Sequence, residues 1–193
     1  MESNKIIGGK IRNIRESRNL TIDEVAERSG VSKDQIERIE NDIEIPSLAP
    51  LIKIARVLGV RLGTFLDDQT ELGPVISRSK DVKDRNAIRF TNDSRIARKH
   101  MEYYSLSQDK AGRHMEPFLI DIDPSGKTDF LLSTHEGEEF IYVLKGTVEV
   151  IYGKKEYILE AGDSIYYDSI VAHHVHASDD APARILGVVY TPF

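Results

Sequence analysis

The spacing of the apolar residues changes once along the chain, and this change limits the folds available to it. Up to about residue 68 apolar residues recur at helical intervals, as Ile7, Ile11 and Ile14 do on one face. After about residue 100 they stand in short alternating runs rich in Tyr, Ile and Val. A period near 3.6 predicts helices, whereas a period of two predicts strands. The sequence therefore predicts an α+β protein with a helical first half and an all-β second half.

The two halves are separated by a charged, turn-prone stretch. With 193 residues the chain is long enough for two small domains. We predict a helical domain over residues 1–68, a linker with a first strand near Ile88–Phe90 over residues 69–99, and a β domain over residues 100–193.

Composition excludes several classes of site and location. The absence of cysteine rules out disulfides, thiol nucleophiles and cysteine-zinc sites, so any metal must be held by His or oxygen ligands. The first residues, MESNKIIGGK, do not form a secretory signal, and no apolar run approaches the roughly 20 residues that span a membrane. We therefore expect a soluble, cytoplasmic protein that does not bind membranes.

Two capping signatures define the centre of the helical half. Thr21-Ile-Asp-Glu24 fits a capping box, in which the threonine hydroxyl and the glutamate each satisfy a backbone N–H. Gly30 then ends that helix, and Ser32-Lys-Asp-Gln35 starts another. The pattern predicts two short helices joined by a tight turn, within a bundle of five helices. The fourth runs from about Leu48 to Leu58.

The segment LTIDEVAERSGVSKDQIERIEND, followed by IPSLAPLIKIARVLGV, resembles the repressor-type helix-turn-helix domains of the xenobiotic-response-element family over residues 6–66. The resemblance implies that Ser32–Glu40 is the recognition helix and that its polar side enters the major groove of double-stranded DNA. The alternative is a helical bundle used for protein contacts. The candidate DNA-binding residues are Lys10, Arg28, Ser32, Lys33, Gln35 and Arg38.

The balance of charged residues in this domain indicates that one copy of it binds DNA weakly. Residues 1–68 contain 11 Lys and Arg against 12 Asp and Glu, and the whole chain has a net charge of −6. Because phosphate contacts supply most of the binding strength, we expect a homodimer on a palindromic operator.

The second half reads as a series of hairpins with glycine at the turns. FIYVL, TVEVIY, KEYIL, SIYYD, HHVHA and RILGVVYT are strand-like, and RHMEPFLIDIDP is expected to form an early strand pair. HEGEEFIYVLKG and AGDSIYYDSIVAHH resemble the two cupin motifs, and the resemblance covers residues 100–193. It implies a double-stranded β-helix, or jelly roll, with a pocket between its sheets.

The cupin resemblance also implies a metal site. Matched to the cupin pattern, the ligand positions are Ser133, His135, Glu139 and His173, with Ser133 at the vacated histidine position. Residues 133, 135 and 139 share parity, so an extended strand would place them on one face. Two histidines and a carboxylate suit a divalent ion such as Fe, Ni, Zn or Mn. The alternative is a polar pocket lining for an organic effector.

Other polar residues of this half are expected to be structural. His174 and His176 have the wrong parity relative to His173 and are predicted to face outward or lie at the rim. The tyrosines are predicted to pack in the barrel wall rather than to act chemically; they include Tyr103, Tyr104, Tyr142, Tyr152, Tyr166 and Tyr167.

These observations favour a transcription regulator without enzymatic activity, in which the cupin domain binds a small-molecule effector. The alternative is a mononuclear non-haem iron oxygenase resembling hydroxypropylphosphonate epoxidase, which has the same domain order. A phosphonate site needs cationic groups, and the candidates are Lys10, Arg18, Arg113 and Lys127. A cupin-type isomerase would explain the barrel but not the helices.

Overall fold

The computed structural model describes residues 6–44, 46–66, 73–79, 101–124, 132–178 and 181–192. The strand predicted near Ile88–Phe90 lies outside these residues. Within them, no helix combines the length and the apolarity needed to cross a membrane.

Five helices occupy the described part of the first domain, as predicted: α1 (Ile6–Ser17), α2 (Ile22–Ser29), α3 (Lys33–Glu40), α4 (Leu48–Val57) and α5 (Gly63–Leu66). The capping box at Thr21 is complete, because its hydroxyl accepts from the backbone of Glu24 and the Glu24 carboxylate accepts from the backbone of Thr21. Gly30 ends α2 in the left-handed conformation with φ of 69°. Ser32 caps α3 through the Gln35 N–H.

The apolar faces of the helices meet in one core, and a buried ion pair lies at the edge of this core. Ile11, Ile36 and Leu51 are fully buried there. The Arg15 guanidinium donates two hydrogen bonds to the Glu40 carboxylate, from Nε to Oε1 at 2.7 Å and from Nη2 to Oε2 at 2.8 Å. This pair fixes α1 against the end of α3.

The second domain consists of two antiparallel sheets that face each other. Its strands are β1 (Met101–Ser105), β2 (Met115–Ile122), β3 (Glu138–Lys145), β4 (Thr147–Tyr152), β5 (Lys155–Glu160), β6 (Ser164–Asp168), β7 (His173–Ala177) and β8 (Ala183–Tyr190). One sheet has the order β1-β2-β8-β3-β6 and the other the order β5-β4-β7. Alternate residues such as Phe118, Val148 and Ile185 are buried between the sheets, as a jelly roll requires.

The predicted series of hairpins is wrong for most of these strands. β4 and β5 do form a hairpin, but β3 pairs with β6 and β8, and β4 pairs with β7. The turn at Lys145-Gly146 therefore carries the chain from one sheet to the other. Similarly, RHMEPFLIDIDP contributes one strand, β2, which pairs with β1 and β8. Turn residues mark where strands end, but they do not determine which strands pair.

The two domains share apolar contacts. Val189 of β8 is buried within the helical core, and Tyr103 of β1 packs against the same core. Leu66, at the end of α5, contacts the cores of both domains. The helical domain therefore lies directly on the jelly roll.

Candidate metal centre and nucleic-acid interface

A cavity of about 90 Å³ lies between the two sheets. One part of its wall is polar and is formed by Ser133, His135, Glu139 and His173. Much of the remaining wall is apolar, with Phe118 among its residues. The helical domain also reaches the cavity, because Ser47, Leu48 and Ala49 at the start of α4 line it.

Three of the predicted ligands converge at the polar wall. One ligand atom each of His135, Glu139 and His173 lies within 4.8 Å of the other two. Glu139 Oε1 is 2.8 Å from His135 Nε2 and 3.3 Å from His173 Nε2. Two imidazoles and one carboxylate around one point form the donor set of a facial triad, which leaves other coordination positions open.

His135 reaches this point by a route that strand parity did not predict. β3 begins only at Glu138, and the preceding chain turns at Gly137, whose φ is 104°. A Cβ on Gly137 would lie 2.0 Å from the Tyr190 carbonyl oxygen, so the turn requires glycine. The backbone N–H of His135 donates to the Ser169 carbonyl at 3.0 Å. His135 and Glu139 thus come from two differently held segments rather than from one extended strand.

Backbone carbonyls orient both imidazole rings. His135 Nδ1 is 3.0 Å from the Glu136 carbonyl oxygen, and His173 Nδ1 is 2.8 Å from that of Val171. A proton donated from each Nδ1 directs Nε2 toward Glu139. A carbonyl partner at one ring nitrogen is the usual support of a metal-binding imidazole at the other. The residues therefore fit a divalent ion.

The carboxylate at the centre is stabilised in its charged form. Burial is the largest single influence on Glu139 and raises its pKa. The hydrogen bonds and the positive charges that His135 and His173 supply when both ring nitrogens are protonated together outweigh burial, and the pKa is held well below its usual range. The site therefore presents an anionic oxygen to whatever occupies it.

Tyr167 packs in the barrel core, as predicted, and its hydroxyl also contacts the site. Its hydroxyl donates to Glu139 Oε2 at 2.7 Å, while Oε1 faces the histidines. Burial, together with the neighbouring carboxylate, raises the pKa of Tyr167 well above its ordinary value, so the hydroxyl remains a donor. Tyr167 and Glu139 are register partners on β6 and β3. Only the pairing of these two strands identifies the contact.

The remaining polar residues near the cavity are placed as follows. Ser133 exchanges two backbone hydrogen bonds with His173, at 2.7 and 2.9 Å, and lines the cavity. His174 and His176 alternate with His173 along β7, as parity predicted. His174 does not face outward, because its exposed fraction is 6% and it is among the residues that line the cavity. Its ring stacks with that of His176.

The described lining residues of the cavity include no lysine or arginine. Arg113 instead pairs with buried Glu116 at 2.7 Å, and Arg18 approaches the Gly59 carbonyl. Lys10 is not among the described lining residues, and Lys127 is outside the described part of the chain. The described wall therefore lacks the cationic groups that a phosphonate dianion requires.

The candidate nucleic-acid interface is the outer side of α2 and α3. Arg28, Ser32, Lys33 and Arg38 are exposed, whereas Lys10 and Gln35 are half-buried. The basic side chains of this surface do not stand alone, because acidic side chains pair with two of them. Lys33 Nζ is 2.8 Å from Asp23, and Arg38 Nε is 3.2 Å from Glu44. Acidic neighbours partly neutralise the recognition helix.

Comparison with known proteins identifies both domains. Residues 11–65 match the helix-turn-helix family and residues 118–189 match the cupin domain family. The regulator PuuR of Escherichia coli is 22% identical over 187 residues, which cover 96% of this chain and 94% of PuuR. The regulator SinR of Bacillus subtilis is 34% identical over 67 residues, and the chain spans 60% of its length.

Solved structures share the two-domain fold. A crystal structure of an HTH_3 family transcriptional regulator from Vibrio cholerae superimposes with a TM-score of 0.72, at 24% identity over 99% of this chain and 98% of that one. Hydroxypropylphosphonic acid epoxidase with iron superimposes less well, with a TM-score of 0.52 at 22% identity over 97% and 98% of the two chains.

Proposed function

We propose that the chain binds operator DNA and that a small molecule in the cupin cavity controls this binding. The proposal is supported by its helix-turn-helix and cupin domains and by its similarity to a regulator along nearly its whole length. The observation that carries the proposal is the capped pair α2 and α3, joined through Gly30, with the polar side of α3 exposed. A helix presented in this way fits the major groove of DNA. A protein that binds operator DNA would act in the cytoplasm, which is the location expected from the sequence.

A homodimer is the state in which such a domain binds tightly. The acidic partners of Lys33 and Arg38 weaken the attraction of one domain for phosphate. Two copies double the contacts and read two half-sites about one helical turn apart. The dimer is supported by this charge argument, and its test is the mass of the protein in solution, free and on operator DNA, by sedimentation.

Selection from genomic DNA at low salt is the experiment that tests DNA binding. It is expected to enrich one palindromic sequence. Arg38→Ala should then weaken binding by about 1–3 kcal/mol if its guanidinium reads a base. Lys154→Ala is the matched control, because it removes an equal charge from the distant β4–β5 turn. Failure to enrich any sequence would contradict the proposal.

We also propose that His135, Glu139 and His173 hold a divalent ion. The proposal is supported by the donor set, by the convergence of the three side chains and by the carbonyl partners of both Nδ1 atoms. Bound there, a metal would supply a Lewis-acid centre with open positions for donor atoms of the effector. The side chains of the site orient the metal, while the apolar wall selects the shape of the effector.

Elemental analysis of protein purified without a histidine tag or chelator tests the metal site. Stoichiometric metal, or uptake of Fe, Ni, Zn or Mn at micromolar concentration, is expected in the wild type and should be lost in His135→Ala. His114→Ala is the control, because His114 is exposed and lies outside the triad. No uptake by the wild type would mean that the triad lines a pocket for an organic effector.

A further inference from the structure

Helix α4 belongs to the DNA-binding domain but forms part of the cupin cavity. Its N-cap residue Ser47 and its first residues Leu48 and Ala49 line the same cavity as the triad. On the other side, α4 packs against α2, and its residues Leu51 and Ile54 are fully buried in the helical core. Whatever occupies the cavity therefore borders a helix that is rigidly held within the DNA-binding domain.

Arg56, near the end of α4, makes a second connection between the domains. Its guanidinium forms an ion pair with Glu136, in the turn that precedes β3. Its Nη2 also donates to the backbone carbonyl of Arg28 at 3.1 Å. Arg28 lies in the last turn of α2, two residues before Gly30. One side chain thus links the cupin turn to the start of the turn between α2 and α3.

Glu136 is also connected to the triad. Its backbone carbonyl oxygen lies 3.0 Å from Nδ1 of His135, while His135 Nε2 contacts Glu139. A metal ion at the triad would use the same Nε2 atom and would replace the contact between His135 and Glu139. The position of the His135 ring, and of the turn bonded to its Nδ1, would then depend on the metal.

We propose that the Arg56–Glu136 ion pair transmits occupancy of the cupin site to the DNA-binding helices. The inference rests on the proposed function and names the regulation of that same site. Metal at the triad repositions the turn at Glu136, and Arg56 passes the change to the end of α2. Coupling requires that the two positions of the turn favour different placements of α2 and α3.

The test measures operator affinity of the full-length protein with and without Ni²⁺, with Zn²⁺ as a second probe. In the wild type the metal should change the dissociation constant by a factor on the order of 5 to 150. Arg56→Ala and Glu136→Gln should both abolish this response. Glu136→Gln should leave metal affinity and metal-free operator affinity unchanged, because it keeps the hydrogen bond from Arg56 to the Arg28 carbonyl. The side chains of Arg56 and Glu136 are both partly exposed, so we expect both variants to fold. Glu136→Gln also keeps the backbone carbonyl that contacts His135 Nδ1.

A charge exchange separates the ion pair from the hydrogen bond to α2. Arg56→Glu and Glu136→Arg should each lose the response. The double variant restores the ion pair but not the hydrogen bond to the Arg28 carbonyl, because a carboxylate cannot donate, and it should therefore also stay unresponsive. An intact response in the single variants would overturn the inference, as would a wild type that binds operator and metal independently. In both cases the proposed DNA-binding function would stand. Absence of operator binding by the wild type would overturn both.

Discussion

Tyr167 determines which oxygen of Glu139 is available to the site. Its hydroxyl donates a hydrogen bond to Oε2, so Oε1 faces His135 and His173. A buried carboxylate with one oxygen already bonded has less freedom to rotate, which prepares it to hold a metal ion.

Removal of that hydroxyl should weaken metal binding without unfolding the barrel. We expect Tyr167→Phe to lower metal affinity by about 10–100-fold, the usual effect of losing a partner of a metal ligand. Tyr152→Phe is the control, because its ring packs on Tyr167 but its hydroxyl donates to the Asp168 carbonyl. Calorimetric titration measures both. Equal affinities in the two variants would show that Tyr167 only packs.

The Arg15–Glu40 pair is a residue-scale determinant of stability in the helical domain. The Glu40 side chain is 2% exposed and that of Arg15 is 10% exposed. Glu40→Ala leaves the buried guanidinium with only the exposed carboxylate of Glu16, at 3.3 Å, as a counter-charge. Breaking a buried pair costs about 3–5 kcal/mol. Urea unfolding should show this loss, whereas Glu37→Ala, one turn earlier on α3, should change stability by less than about 0.5 kcal/mol. A small effect of Glu40→Ala would mean that water replaces the carboxylate.

At the scale of the element, local sequence signals fix the helices. The capping box of α2 satisfies two backbone N–H groups with Thr21 and Glu24, and the left-handed Gly30 ends the helix. Each feature lies within a few residues of the turn that it stabilises. This explains why five helices were predicted at nearly their observed positions.

Loss of the α2 cap should lower stability measurably. We expect Thr21→Ala to cost about 1 kcal/mol, within the usual range of 0.5–2. Thr21→Ser keeps the hydroxyl that accepts from the Glu24 N–H and should retain most of the stability. The comparison of midpoints in urea tests this directly. If the two variants unfold alike, the hydroxyl does not stabilise α2.

Strands follow a different rule, because their partners are distant in the sequence. Alternation predicted most of the strands, but not that β3 pairs with β6 and β8 rather than with β4. The position of Tyr167 beside Glu139 depends on that pairing. The position of His135 also depends on that pairing, because its backbone N–H donates to the carbonyl of Ser169, the residue that follows β6.

At the scale of the whole molecule, a buried ion pair of the second domain lies against the helical domain, in addition to the shared apolar core. Arg113 and Glu116 form an ion pair whose side chains are 8% and 2% exposed, against the first residue of α5. A Cβ on Gly63 would lie 2.9 Å from an Arg113 guanidinium nitrogen and from Glu116 Oε1. A side chain at this position would push the ends of the Arg113 and Glu116 side chains aside.

Gly63→Ala should disturb the junction. Overpacking of this kind costs about 1–3 kcal/mol, and we expect the metal response of operator binding to weaken as the domains separate. Gly9→Ala is the matched control: its Cβ meets nothing within 4 Å, and alanine within α1 should stabilise by about 0.5–1 kcal/mol. Thermal unfolding and operator titration measure both effects. An unchanged Gly63→Ala protein would show that the junction is loosely packed.

The sequence by itself determined the two-domain α+β organisation, the capped helix pair and the residue types of the triad. Those features depend on local spacing and on chemistry that each residue carries. Tertiary structure alone decided that Tyr167 meets Glu139, that α4 lines the cavity and that Arg56 reaches Glu136. The physical reason is that these contacts join segments separated by 28, 80 or more residues. Periodicity tells which face of an element is buried, but only the packed chain decides what lies against that face.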